Sequence, residues 1–343
     1  MQSSRDASKV NLPKILISFI LITVFFVTAS CTSQDRNSNS TPTPEPTPTP
    51  APIGDSANPV VWGLVNPSAT QSAYAATLAG QLSARTGYAI VSQAYPTYNA
   101  LLGAMNMGRV NLAFLPPLTL LYADEMGIAQ PTLLTNHFGV YMYGTQFLAN
   151  VDSGFLPYFD ANTNRSTADV ATAIAQFDDM RPCLVREDSL TSGILARGYF
   201  FDAVITTRDP VITQTTTGLI RALYIKGVCD FGATFASSGD PRTASAVQSD
   251  LPDVTQRVVV IWRSEPIIPS TTLAYQASLP AQIQDAINTA WMESIHTPEG
   301  KELLTQALDY SVQDLKLIDP SILEPLRLLV ESSGTNLMDQ IGY

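Results

Sequence analysis

From Val60 onward, short apolar runs alternate with helical segments across turns of a few polar residues, and that alternation confines the chain to a parallel α/β sheet. Val60 to Val65 (VVWGLV) is continuously apolar, as a strand covered on both faces must be. The polar stretch NPSATQS leads into a helix over about 72–85 that Thr86-Gly87 ends, and a second strand spans 88–93. Thr97 caps a helix over 98–107 that stops at Gly108. A third strand, 110–115, is closed by Pro116-Pro117, and another helix begins near Leu118. Further on come a strand at 183–186, helices at 191–201 and 218–225, a strand at 229–234 and the β-branched run Arg257 to Trp262. Helices over 281–294 and 298–308 close the pattern, and the stretch 320–343 has no period that places it.

The N-terminal part cannot join this body. A basic patch (Arg5, Lys9, Lys14) precedes the apolar run Ile15 to Val27, too short for a membrane span but suited to a signal-peptide core. Thr28, Ala29, Ser30 and Cys31 follow, a layout that resembles a bacterial lipobox with Thr28 in place of the usual leucine. The expectation is a lipoprotein signal over 1–30 and a diacylglycerol on Cys31; an uncleaved anchor helix is the alternative. From 31 to 56 the sequence carries proline at every second position from Pro42 to Pro52, which favours an extended stalk. Either way the body lies outside the cytoplasm, tethered to the outer face of the cell membrane or in the periplasm.

About 285 residues remain, more than one core usually fills, since single cores stop growing near 250–300. Two lobes are expected, 57–147 with 263–343 forming one and 148–262 the other. The chain would cross between them near 146–152 and 257–266, a two-strand hinge that lets the lobes close on a ligand.

The net charge of −11 argues against nucleic acid or an anionic membrane surface as partner, yet leaves room for an anionic ligand held by neutral backbone dipoles. With no CxxC and only His137 and His296, far apart, no metal site or cofactor is expected. Cys183 and Cys229 each sit in an apolar strand-like run, which favours buried free thiols over a disulfide.

Several polar segments follow strands and open helices: Asn66-Pro67-Ser68, Thr97-Tyr98, Pro117-Leu118-Thr119 and Ser189-Leu190-Thr191-Ser192-Gly193. Ligands of open parallel sheets bind at the carboxyl ends of the strands, where helix N-termini offer unpaired N–H groups and a partial positive charge. Hydroxyls there either cap their helices or donate to a tetrahedral oxyanion, and Gly193 permits close backbone approach.

In order and spacing these fragments resemble the phosphate, phosphite and phosphonate substrate-binding proteins of ABC importers. The likeness spans most of 58–310. It runs through Gly63 and Pro67, Tyr98-Asn99-Ala100, Phe114 to Thr119, Tyr143 ahead of Val151 to Gly154, Leu190 to Gly193, and Gly227 to Ala233. The resemblance implies a type II periplasmic binding fold. Thr191 and Ser192, with Ser189 beside them, would hold phosphoryl-type oxygens, Tyr98 and Tyr143 would line the cleft, and Thr119 would donate from the facing lobe. Asp230 would accept from the ligand. Core packing for the two tyrosines and a local turn for Asp230 are the alternatives. Leu190 stands where the family has the first serine of Ser-Thr-Ser-Gly, and Leu120 where it often has tyrosine. A permease and an ATPase would be the partners of a monomer.

Two other functions stay open. A hydrolase would need a general base, and the chain has no G-x-S-x-G or H-E-x-x-H; His137 is the one histidine placed to serve Ser192. A sensor lipoprotein of the same fold would signal through a membrane partner.

Overall fold

The computed structural model describes residues 51–236 and 238–341. The signal segment, Cys31 and nearly all of the proline-rich stretch lie outside them. Along the first part run β1 (Val60–Val65), α1 (Ala69–Thr86), β2 (Ile90–Tyr95), α2 (Tyr98–Asn106), β3 (Leu112–Leu115), α3 (Pro117–Glu125) and β4 (Ala129–Asn136). Next come β5 (Met142–Asn150), the small hairpin β6 (Phe159–Asp160) and β7 (Arg165–Ser166), α4 (Val170–Ile174), β8 (Pro182–Leu184) and α5 (Leu195–Asp202). β9 (Val211–Ile212), α6 (Thr216–Ile225), β10 (Phe231–Ala236), α7 (Ser245–Gln248), α8 (Val254–Arg257), β11 (Val258–Arg263) and β12 (Ile268–Pro269) follow. The chain ends with β13 (Thr272–Gln276), α9 (Ala281–Ile295), α10 (Pro298–Leu308), β14 (Asp314–Leu317) and α11 (Glu324–Ser332).

Two six-stranded sheets result. The first has the order β14-β4-β13-β3-β1-β2, and the second β11-β5-β10-β8-β9 with β12 beside β5. β1 pairs in parallel with β2 and β3, as the expected strand–helix units require. Local chemistry sets their turns. Ser68 and Gln71 form a reciprocal capping box at the start of α1, and Gly87 ends that helix at φ 76°, a conformation glycine adopts without steric cost. Thr97 caps α2 through the Ala100 N–H, and Pro117 opens α3 at a position where a missing N–H costs nothing. The N-termini of α1, α2 and α3 therefore all stand at the carboxyl edge of the first sheet.

The first sheet packs on α1, α9 and α10 around Trp62, Phe114 and Trp291, three rings in edge-to-face contact at 5.3–6.1 Å. In the second sheet Phe147, Phe177 and Phe231 fill the equivalent place, the last two stacked at 4.0 Å.

The chain leaves the first sheet after Asn136, joins the second at Met142, and returns between Pro269 and Thr272. The segments expected as connections, 146–152 and 257–266, are largely the end of β5 and the whole of β11, antiparallel neighbours. The passages between the two sheets are 137–141 and 270–271.

The 320–343 stretch acquires a role. α11 lies on α5, where Leu329 packs so closely on Gly198 that a Cβ there would clash, and Arg327 pairs with Asp124 and Glu125 of α3, both at 2.7 Å. The tail thus touches helices of both sheets.

Cys183 and Cys229 correct the expectation of free thiols: they form a disulfide, with Cα atoms 5.6 Å apart. Apolar burial suits a bridge as well as a thiol, and the deciding factor is the adjacency of β8 and β10. With a sequence separation of 46 residues, closing that loop stabilises the fold by about 2–4 kcal/mol. Dithiothreitol is expected to lower the unfolding free energy by that amount, read from urea titrations with and without reductant.

Candidate functional site

The turn after β8 is the most specialised piece of backbone in the second sheet. Gly193 N and Ile194 N both donate to Ser189 O, at 2.8 and 2.9 Å, which opens the first turn of the helix into a π-turn over Leu190–Ile194 that runs on into α5. The N–H groups of Leu190, Thr191 and Ser192 have no acceptor among the described residues. Such a triplet, at the positive end of a helix, is a ready receptor for an anion.

These groups border a cavity of about 440 Å³ lined by Ser189, Leu190, Thr191, Tyr143, Phe235 and the His137–Phe138 pair. A smaller one of about 210 Å³ belongs to the first sheet, with Gly63, Pro67, Gln71, Tyr98, Phe114 and Tyr310 in its wall. Tyr310 links them: His137 stacks on it at 3.9 Å, and Tyr143 lies within its electrostatic reach. The carboxyl edges of both sheets therefore contribute to one region.

Neither cavity has a lysine or arginine in its wall, and Asp309, exposed at the mouth of the smaller one, is the sole carboxylate. Any anion there meets neutral dipoles. Burial raises the Tyr98 phenol above its ordinary range and pushes Tyr143 far above it, Tyr310 adding to the second shift. Both hydroxyls hence keep their protons and act as donors. Neither has a partner within the protein among the described residues.

The expected site residues fall into two groups. Tyr98, Tyr143, Ser189 and Thr191 line the cavities. Thr119, in the first turn of α3, is 3% exposed and lines neither, though its hydroxyl has no partner among the described residues. The Ser192 hydroxyl accepts from Val185 N at 2.8 Å and the residue is 1% exposed, so it holds the end of β8 and does not line the cavity. Gly193 is required by the turn itself, since a Cβ would collide with the Glu187 and Arg186 carbonyls. Asp230 is not brought here: it precedes β10, at the sheet edge opposite the Ser189 turn, and accepts from Arg181 N at 2.8 Å.

His137, weighed from the sequence only as a general base for Ser192, and Phe138, Phe235 and Tyr310 are wall residues whose place here sequence reasoning missed. Their one signal was the scarcity of histidine. The His137 Nδ1 faces the Ser311 carbonyl at 2.8 Å and therefore carries the proton that it donates there.

Comparison with known proteins bears on the whole arrangement. The model of a family described as the periplasmic substrate-binding protein of phosphonate ABC transporters matches residues 64–320. No curated protein matches the chain. Among solved structures, XAC2383 from Xanthomonas citri bound to ATP is similar at 14% identity and a TM-score of 0.55, over 82% of this chain and 98% of that one. Transferrin 1 from Manduca sexta is similar at 9% identity and 0.51, over 82% and 47%. The binding component of an ABC phosphonate transporter, PA3383 from Pseudomonas aeruginosa, is similar at 16% and 0.45, over 82% and 87%. The family match together with the two-sheet architecture identifies the type II periplasmic binding fold.

Removing the Ser192 hydroxyl leaves the Val185 N–H unpaired, a loss of about 1–3 kcal/mol. Ser192→Ala is expected to lower the unfolding free energy by that amount in urea titrations, and Thr191→Ala to leave it nearly unchanged.

Proposed function

The chain belongs to the family of periplasmic substrate-binding proteins of phosphonate ABC transporters, and from that premise we propose that it captures a small oxyanion of the phosphate, phosphite or phosphonate class. The observation that carries this reading is the set of three unpaired N–H groups at 190–192, two of whose residues, Leu190 and Thr191, line a cavity whose wall lacks lysine and arginine. Oriented amides hold an oxyanion without a buried counter-charge, and so without the desolvation that a buried cation incurs. The protonated Tyr98 and Tyr143 hydroxyls and those of Ser189 and Thr191 complete the donor set.

The first sheet with its helices and the second sheet with its helices would act as two lobes, flexing at the passages 137–141 and 270–271. A ligand drives closure to the extent that it binds the closed form more tightly than the open one. The loaded monomer would then dock on a membrane permease served by an ATPase. A lipid on Cys31 and the proline-rich stalk would keep the protein at the outer membrane surface. Among the described residues no helix is long and apolar enough to cross a membrane.

Calorimetry with methylphosphonate, phosphite, phosphate and sulfate on the purified chain tests this directly; binding of none of them would sink it. Leu190→Pro removes one of the three N–H groups at the first helical position, where proline fits, and Ser189 (φ −65°, ψ 126°) already has the backbone that precedes a proline. Its expected effect is oxyanion affinity weakened by about 1.5–3 kcal/mol, the worth of a hydrogen bond to a charged group. Unchanged affinity in a folded variant would remove the turn from the site.

A further inference from the structure

His137 and Val140 exchange backbone hydrogen bonds of 2.8 and 3.1 Å, which leaves Phe138 and Gly139 as the two central residues of a tight turn. Both have positive φ, 48° and 90°, the geometry that asparagine-glycine serves best. Phenylalanine in that left-handed conformation is strained, because its Cβ crowds the backbone. Its ring is also 66% exposed. The position thus carries two costs, backbone strain and an aromatic ring in water, and nothing in the fold requires either: Phe138 belongs to none of the apolar cores, and asparagine would serve the turn better. Strain of this kind concentrates where a side chain meets a ligand.

The surroundings point the same way. The Phe138 ring lies 4.2 Å from that of His137, which in turn is fixed by its stack on Tyr310 and by its hydrogen bond to Ser311. The imidazole is therefore a rigid neighbour that supports Phe138, and both line the cavity. Phe235 and Tyr143 line the same space of about 440 Å³, and Leu190 places an apolar side chain where the resemblance led one to expect a hydroxyl. A one-carbon phosphonate fills only a small part of such a volume and offers nothing for these rings to cover.

We propose that Phe138, backed by His137, is a stacking platform, and that the physiological ligand is an oxyanion attached to a planar ring, its charged end on the amides of 190–192 and its ring against Phe138. This rests on the oxyanion reading above and narrows its substrate class.

Calorimetry with methylphosphonate, cyclohexylphosphonate and phenylphosphonate on the purified chain and on Phe138→Asn tests it. Phenylphosphonate is expected to bind the native chain most tightly. In Phe138→Asn its affinity should fall roughly ten- to a hundred-fold, the range seen when an aromatic partner of a stacked base is removed. Methylphosphonate affinity should fall far less, and the melting temperature should hold or rise as the left-handed strain is relieved. Equal affinities for the cyclohexyl and phenyl compounds would overturn the planar-ring claim, and so would a parallel loss for all three in the variant. Methylphosphonate binding without phenylphosphonate binding would overturn the platform and leave the oxyanion reading intact, whereas binding of none would overturn both.

Discussion

The pairing of β5 with strands on both sides is the constraint on which the site depends. β5 takes β10 along one edge and β11 and β12 along the other, always antiparallel, so it runs against the direction of every strand it touches. Its N-terminal end consequently lies at the same edge as the carboxyl ends of β8, β10 and β11. That single reversal places Tyr143, near the start of β5, beside the turn that follows β8. It also sets the two passages side by side, since Tyr143 and Met142 pair with Ile268 and Pro269. The fit at this crossing is tight: Gly144 has no room for a Cβ against Ser264, whose hydroxyl accepts from Thr145 N at 2.9 Å. Thr145 then reaches the Thr191 carbonyl with its own hydroxyl. Passage, strand and anion turn are in this way tied within a few residues.

What the sequence could and could not reveal follows from the same reversal. Continuous apolar runs and capping residues depend on neighbours a few positions away, and β1, α2, α3, α6 and α10 lie close to where their patterns put them. Strand direction is a long-range property. Nothing local says that β5 is antiparallel to β10, and without that fact the two ends of β10 look equivalent. Asp230 and Ser238 flank the same strand, yet Ser238 lines the cavity while Asp230 binds Arg181 N at the other edge. Ser192 illustrates a different limit. Its position in the motif suits a ligand contact, but the π-turn rotates its hydroxyl onto Val185 N, and a π-turn has no signature that distinguishes it from an α-helical start. The disulfide was hidden for a similar reason, because apolar surroundings describe a buried cysteine whether or not its partner is adjacent.

The tail shows how a segment without an evident partner in the sequence can still tie two sheets together. α11 has an apolar stripe at Leu326, Leu329 and Val330 that is legible as helical, but what it covers depends on the tertiary fold. It covers α5 of the second sheet, while Arg327 reaches Asp124 and Glu125 at the C-terminal end of α3 in the first. The ion pairs lie at the C-terminal end of α3, opposite the N-terminal end that stands at the carboxyl edge of the first sheet. The tail thus joins the two sheets at a place separate from the passages. Of the two attachments, the apolar contact with α5 depends on close packing, whereas the Arg327 pairs, with side chains about one-fifth to one-third exposed on the acidic side, tolerate small changes of geometry. The last turn of the tail, Leu337–Gln340, adds an apolar contact with α3, Leu337 lying in the same buried cluster as Leu120 and Leu121, so the tail is packed on helices of both sheets.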